Sequence, residues 1–182
     1  MTNQSNSLPK KKRFHLTTKQ MTRIAILAAL QVVLAYVLAP IMFGPLSLYV
    51  TGVFNPLIFV WGADVLWAAV IATMLNNLLF GGGFLQMLWA GIPSTLLVFG
   101  TLLYLRKKKT PLWLAIVASC VVSGLTVGPM IGLTTGLPAP AWLLISAEVT
   151  AGDIFVQICG GIPLVYAVRK MQKYVPALKE HI

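Results

Sequence analysis

The side chains able to do chemistry in this sequence are few, and they sit in apolar surroundings. Of the 182 residues only four are acidic, and two of those, Glu148 and Asp153, fall within one long apolar run. The amides Asn55, Asn76, Asn77, Gln86 and Gln157 and the aromatic residues Tyr49, Trp89 and Trp142 lie in or beside similar runs. Polar groups are costly in an apolar medium, so those that persist are candidates for ligand contact. Glu148 and Asp153 are five residues apart, about 140° around a helix, which argues against a paired-carboxylate site. Glu148 is the better candidate of the two for a ligand contact. Asp153 and Gln157, four apart on one face, are placed to bond each other, and Asp64 reads as a turn residue. Each position also has a structural reading, since interfacial Asn and Trp anchor helices without any ligand.

Enzyme readings find little in this set. His15 and His181 lie in the terminal basic segments, and the sequence has no Ser/His or Cys/His pair, HExxH, phosphate loop or Gly-rich nucleotide motif. Cys120 and Cys159 have no CxxC or Cys/His spacing and read as small buried hydrophobes. No catalytic residue, metal or cofactor is expected. Without a Walker motif, any active transport must draw energy from a partner or an ion gradient. No Lys or Arg occurs from Ile24 to Leu105 or from Thr110 to Val168, so a site between them has no basic side chain for a ligand carboxylate or phosphate. The expected ligand is neutral or cationic: a small nitrogen heterocycle that stacks on aromatic faces and donates to Glu148.

Membrane helices must position these residues. The chain is 58% hydrophobic and 10% charged, with a mean hydropathy of +0.84, which marks an all-α integral membrane protein. At roughly 20 residues per span its length allows about six spans. The first centres on Arg23 to Leu38, the second runs from Leu46 to Trp61 across Pro56, and the third from Val65 to Leu79. The fourth covers Leu85 to Leu105, the fifth starts at Pro111 and reaches about residue 131, and the sixth covers Trp142 to Arg169. Pro40 to Pro45, Gly62 to Asp64, Gly81 to Gly83 and Gly132 to Pro140 read as turns or loops.

The formal net charge is +10, and all 14 basic residues lie at 10–23, 106–109 and 169–179. With both termini cytoplasmic every one of them is inside, as the positive-inside bias requires. Only Phe14 and Tyr174 are aromatic among them, too few for a stacking surface, which speaks against nucleic-acid binding. Residues 1–16 read as a disordered basic N-terminus, 17–170 as a single six-helix domain in the cell membrane, and 171–182 as a basic cytoplasmic tail. No small-residue cleavage site follows the first apolar run, so that span reads as retained. It carries Ala25, Ala28 and Ala29, and alanines four apart leave a shallow groove in which another helix can pack.

Ala25 and Ala29 on the first span also belong to a wider pattern. APIMFGPLSLYV is followed by FNPLIF, then by NNLLFGGGFLQMLWAGIPSTLL before a basic run, and finally by AGDIFVQICGGIPLVYAVRK. On these residues, over about 17 to 172, the chain resembles the S components of energy-coupling factor (ECF) vitamin transporters. It is similar to the subgroup assigned to queuosine precursors and, more loosely, to that for thiamine precursors. It departs from the first subgroup, which carries an Arg and a Glu shortly after the FGP turn, where this chain has Tyr49, Val50 and Gly52.

The resemblance implies a six-span substrate-binding subunit. It also implies a T transmembrane protein docked on the Ala25 to Ala29 face, and two ATPase subunits that supply the work. The implied substrate is a small water-soluble vitamin or precursor, with hydroxymethylpyrimidine first, a queuosine precursor second and pantothenate as the anionic alternative. A proton-coupled carrier using Glu148 or Asp153 and a structural subunit without ligand remain as other readings.

Overall fold

A computed structural model describes residues 17–42, 48–80 and 83–174, and the elements in them are all helical. Helix α1 (Thr18–Val37) opens on a capping box, in which the Gln20 backbone N–H donates to Thr17 Oγ1 at 3.3 Å and the Thr17 N–H donates to Gln20 Oε1 at 3.0 Å. A single turn, α2 (Ala39–Met42), follows it. The chain re-enters as a tight 3-10 segment, Val50–Leu57, that contains Pro56 and leads into α3 (Ile58–Trp61). Gly62, at φ 59°, reverses it into α4 (Ala63–Leu79), a conformation that suits a residue without a Cβ.

Helices α5 (Gly83–Trp89) and α6 (Thr95–Lys107) are joined through a π-bulge at Ala90–Ser94 that absorbs Pro93. Helix α7 (Leu112–Thr135) is unbroken. Helices α8 (Ala139–Val156) and α9 (Ile162–Tyr174) are joined through a second π-bulge, Gln157–Gly161.

Among the described residues four helices are long and apolar enough to cross a membrane: Thr18–Val37, Phe84–Lys107, Leu112–Thr135 and Ala139–Tyr174. Val50–Trp61 and Ala63–Leu79 are apolar but shorter, so the expected second and third spans are the two short segments of the bundle. Large apolar side chains point outward, Leu144 at 74% exposure among them, as a lipid surround permits and water does not.

The end of the bundle where α1 begins is tied by charge. Arg23 Nη1 meets Asp64 Oδ2 at 2.9 Å, its guanidinium lies 5.4 Å from the centre of the Trp61 ring, and Arg106 Nη1 donates to the Ile58 carbonyl at 2.9 Å. Asp64 is therefore a buried ion-pair partner at the start of α4, not a plain turn residue. Two further expectations are corrected. Cys120 is buried but Cys159 is exposed, because the π-bulge turns it to the outer face. The loop expected from Gly132 to Pro140 is largely helix: α7 continues to Thr135, stops on Gly136 at φ 70°, and α8 begins at Ala139.

The reason lies in the packing of α7 on α8. Gly124, Gly128 and Gly132 are four apart and face Ser146, Thr150 and Trp142, so α7 is held against its neighbour beyond the point where composition suggests a break. The expected N-terminal segment (1–16), most of the Pro40 to Pro45 turn, Gly81 and Gly82, and residues 175–182 of the tail lie outside the described residues.

A Cβ on Gly128 would sit 2.9 Å from Ser146 Cα, whereas one on Gly100 would meet nothing within 4 Å. Gly128→Leu is thus expected to lower stability by about 1–3 kcal/mol, and Gly100→Leu to leave it within about 0.5 kcal/mol. Thermal melts of the two variants in one detergent check this, and equal melting points would contradict it.

Candidate ligand-binding site

In the half of the bundle away from the Arg23–Asp64 pair, polar side chains from several elements converge. Helix α4 turns Thr73 and Asn76 inward, three residues apart on one face. The 3-10 segment contributes Thr51 and Asn55, and α8 with its π-bulge contributes Asp153 and Gln157. Tyr49 links two of these elements, its hydroxyl lying 3.1 Å from Thr73 Oγ1. A Cβ placed on Gly52 would lie 3.6 Å from the Tyr49 ring, 3.7 Å from Gln157 Nε2 and 3.8 Å from Asn55 Nδ2, so those three side chains meet over the Gly52 backbone. Asp153 is near enough for its charge to act on Tyr49 and on Cys120, and Ser123 of α7 approaches its carboxylate. Gln31 is buried on α1, which packs along α4 and the 3-10 segment.

What distinguishes this cluster is how little of it is satisfied. Asn76 and Gln157 are each 1% exposed and Asp153 is 3% exposed. Both amide atoms of Asn76, both of Gln157, Asp153 Oδ1, Thr51 Oγ1 and Gln31 Nε2 have no hydrogen-bond partner among the described residues. Each such buried group costs about 1–3 kcal/mol, and native proteins retain few of them without a reason in function. The set offers donors and acceptors together beside one carboxylate, which is what a polar ligand with a mixed hydrogen-bonding edge requires. The π-bulge that starts at Gln157 is itself a feature common at functional positions.

Four of the residues expected from sequence, Tyr49, Asn55, Asn76 and Gln157, are brought together here. Asn77 is half-buried and donates through Nδ2 to the Thr73 carbonyl at 2.9 Å. Gln86 is half-buried on α5. Trp89 Nε1 donates to the Thr126 carbonyl at 3.2 Å, and Trp142 Nε1 to the Leu137 carbonyl at 2.8 Å, so both indoles tie helix ends. The sequence favours Glu148 over Asp153, yet Glu148 lies on the exposed side of α8 and Asp153 within the cluster. Asp153 and Gln157 do not bond each other, since Gln157 has both amide atoms unpartnered. On α1, Ala25 and Ala29 face outward and Ala28 faces the core.

Thr51, Thr73 and Gln31 are not singled out by sequence as ligand contacts, and Asp153 is set second to Glu148. For Gln31 a signal exists: it is a lone polar residue within a hydrophobic run.

An apolar helical bundle with four candidate membrane spans is a multi-pass membrane protein. The family model for the QueT transporter matches residues 21–170, and the chain belongs to that family of queuosine-precursor transporters, which are not enzymes. No curated protein and no solved structure matches it.

If Gln157 serves a ligand and not the fold, removing its amide should not harm the empty protein. Gln157→Met is expected to leave the melting point of the ligand-free protein unchanged or raise stability by up to about 2 kcal/mol, while affinity for a queuosine precursor falls at least about tenfold. A lower melting point with affinity retained would assign Gln157 to structure.

Proposed function

We propose that the chain is the substrate-binding S component of an ECF-type transporter and takes up a queuosine precursor through Tyr49, Asn55, Asn76, Asp153 and Gln157. The observation that carries this reading is the unpartnered polar cluster in the interior of a QueT-family bundle. In this reading all six apolar segments cross the membrane with both termini cytoplasmic. Arg23, Asp64 and Arg106 gather at one end, and positive residues favour the inside. Thr73 and Asn76 come nine and twelve residues after Asp64 along α4, roughly 14–18 Å along a helix, which puts the cluster in the outer half. A ligand arriving from outside reaches it first.

Asn77, Gln86, Trp89, Trp142 and Glu148 lie outside the inner set in this assignment. The T transmembrane protein docks on the outward Ala25 and Ala29, and two partner ATPases supply the energy. Family membership supports a queuosine precursor over hydroxymethylpyrimidine, the first choice from sequence. Pantothenate is disfavoured by charge: the cluster holds a carboxylate, and no Lys or Arg lies within 24–105 or 110–168.

Titration of the purified chain with a vitamin panel, read by Trp fluorescence, tests the substrate. A saturable response to a queuosine precursor and none to pantothenate is expected; a response to pantothenate or hydroxymethylpyrimidine alone would overturn the assignment. Ala25→Trp tests the partner, and should abolish T-protein association and uptake while ligand affinity stays within about threefold, a change of less than 1 kcal/mol. Uptake that continues in cells without the ATPases would favour a proton-coupled carrier instead.

A further inference from the structure

We propose that Asp153 is the specificity-determining residue of this site: its carboxylate holds a protonated primary amine on the ligand, while the Gln157 and Asn76 amides take the ligand's ring edge. The inference rests on the queuosine-precursor reading and adds to it the chemical feature that the site selects.

Asp153 is buried, and its Oδ1 has no partner among the described residues. The groups identified around it, Ser123, Tyr49 and Cys120, carry hydroxyls and a thiol but no positive charge. No Lys or Arg lies within 24–105 or 110–168, and of those at the margins Arg23 is engaged with Asp64 and Arg106 with the Ile58 carbonyl. A carboxylate in an apolar interior is strongly stabilised by a cation brought to it and poorly by a neutral group. An ammonium on the ligand supplies that cation and makes a charge-assisted hydrogen bond, the stronger kind.

The neighbouring amides serve a different part of the same molecule. Gln157 and Asn76 each leave a carbonyl oxygen and an NH2 unpartnered. One acceptor beside two donors complements the N–H and C=O of a cyclic amide. The Tyr49 ring, over Gly52 beside Gln157 Nε2, offers a face to a flat heterocycle. The competing arrangement, in which Asp153 accepts from the ring's own N–H groups, would serve a neutral ligand as well as a charged one, and on this point the two assignments part.

The test uses two queuosine-type free bases that share one ring and differ in one substituent: 7-aminomethyl-7-deazaguanine, a cation at neutral pH, and 7-cyano-7-deazaguanine, which is neutral. Both are titrated into the purified full chain and into Asp153→Asn. The wild-type protein is expected to bind the amine at least about tenfold more tightly than the nitrile. Asp153→Asn should weaken the amine at least about tenfold and leave the nitrile within about threefold. Saturable wild-type binding of both compounds with equal affinity would overturn the role given to Asp153 and leave the queuosine-precursor reading intact. A variant that loses both compounds alike would assign Asp153 to the ring edge or to the fold. Saturable binding of neither compound would instead remove the queuosine-precursor reading itself. The wild-type comparison needs no variant, so a misfolded Asp153→Asn leaves the proposal open to refutation.

Discussion

An apolar surround leaves a buried polar atom no water to bond, and the rest of this structure can be understood from how it meets that constraint at its two ends. Around Arg23 the solution is complete. The guanidinium meets Asp64 and lies near Trp61, and Arg106 donates to the Ile58 carbonyl at the start of α3. A buried ion pair of this kind contributes little net stability against apolar packing, but removing either partner strands the other. It fixes the relative position of α1, α3 and α4. In the other half the Asn76 and Gln157 amides and Asp153 Oδ1 have no hydrogen-bond partner among the described residues.

Three departures from regular helix build that end. The 3-10 segment Val50–Leu57 brings Tyr49, Thr51 and Asn55 close together on a short stretch of chain, and the π-bulge at Gln157–Gly161 packs against it. That contact depends on glycine: a Cβ on Gly160 would lie 2.6 Å from Val53 Cγ2, and one on Gly161 would lie 2.7 Å from Pro56 Cγ. The second bulge, at Ala90–Ser94, absorbs Pro93 and is tied to α7 through Ser94 and Thr126, 2.9 Å apart. Irregular backbone at membrane depth is tolerated where it is covered by protein, and the 3-10 segment is mostly buried.

The sequence made the helical class readable because apolar runs and basic boundaries are local properties. It also pointed to Tyr49, Asn55, Asn76 and Gln157, which are polar residues in the wrong solvent. It ranks Glu148 above Asp153, but the two lie on different faces of one helix and only the neighbours decide which face is inside. In α8 that neighbour is α7, through Gly124 and Gly128 against Ser146 and Thr150. The same contact hid the true end of α7, since Gly132 reads as a breaker alone and as a packing surface opposite Trp142. Asp64 was misread for a related reason: its partner, Arg23, is 41 residues away in sequence.

Helix α1 joins the two ends. Its inner side carries Ala28, Gln31 and Ala35, all buried, and its outer side carries Ala25 and Ala29, both exposed. Arg23 binds this helix to the start of α4, and α4 carries Thr73 and Asn76 farther along. A displacement of α1 from outside would therefore reach the polar cluster through a helix held at a fixed point, with the side-chain contacts of α1 on α4 in between. Packed helices shift between discrete arrangements more readily than they deform. Coupling between that outer face and a ligand held in the interior would require the ligand to bind one arrangement of these helices more tightly than another.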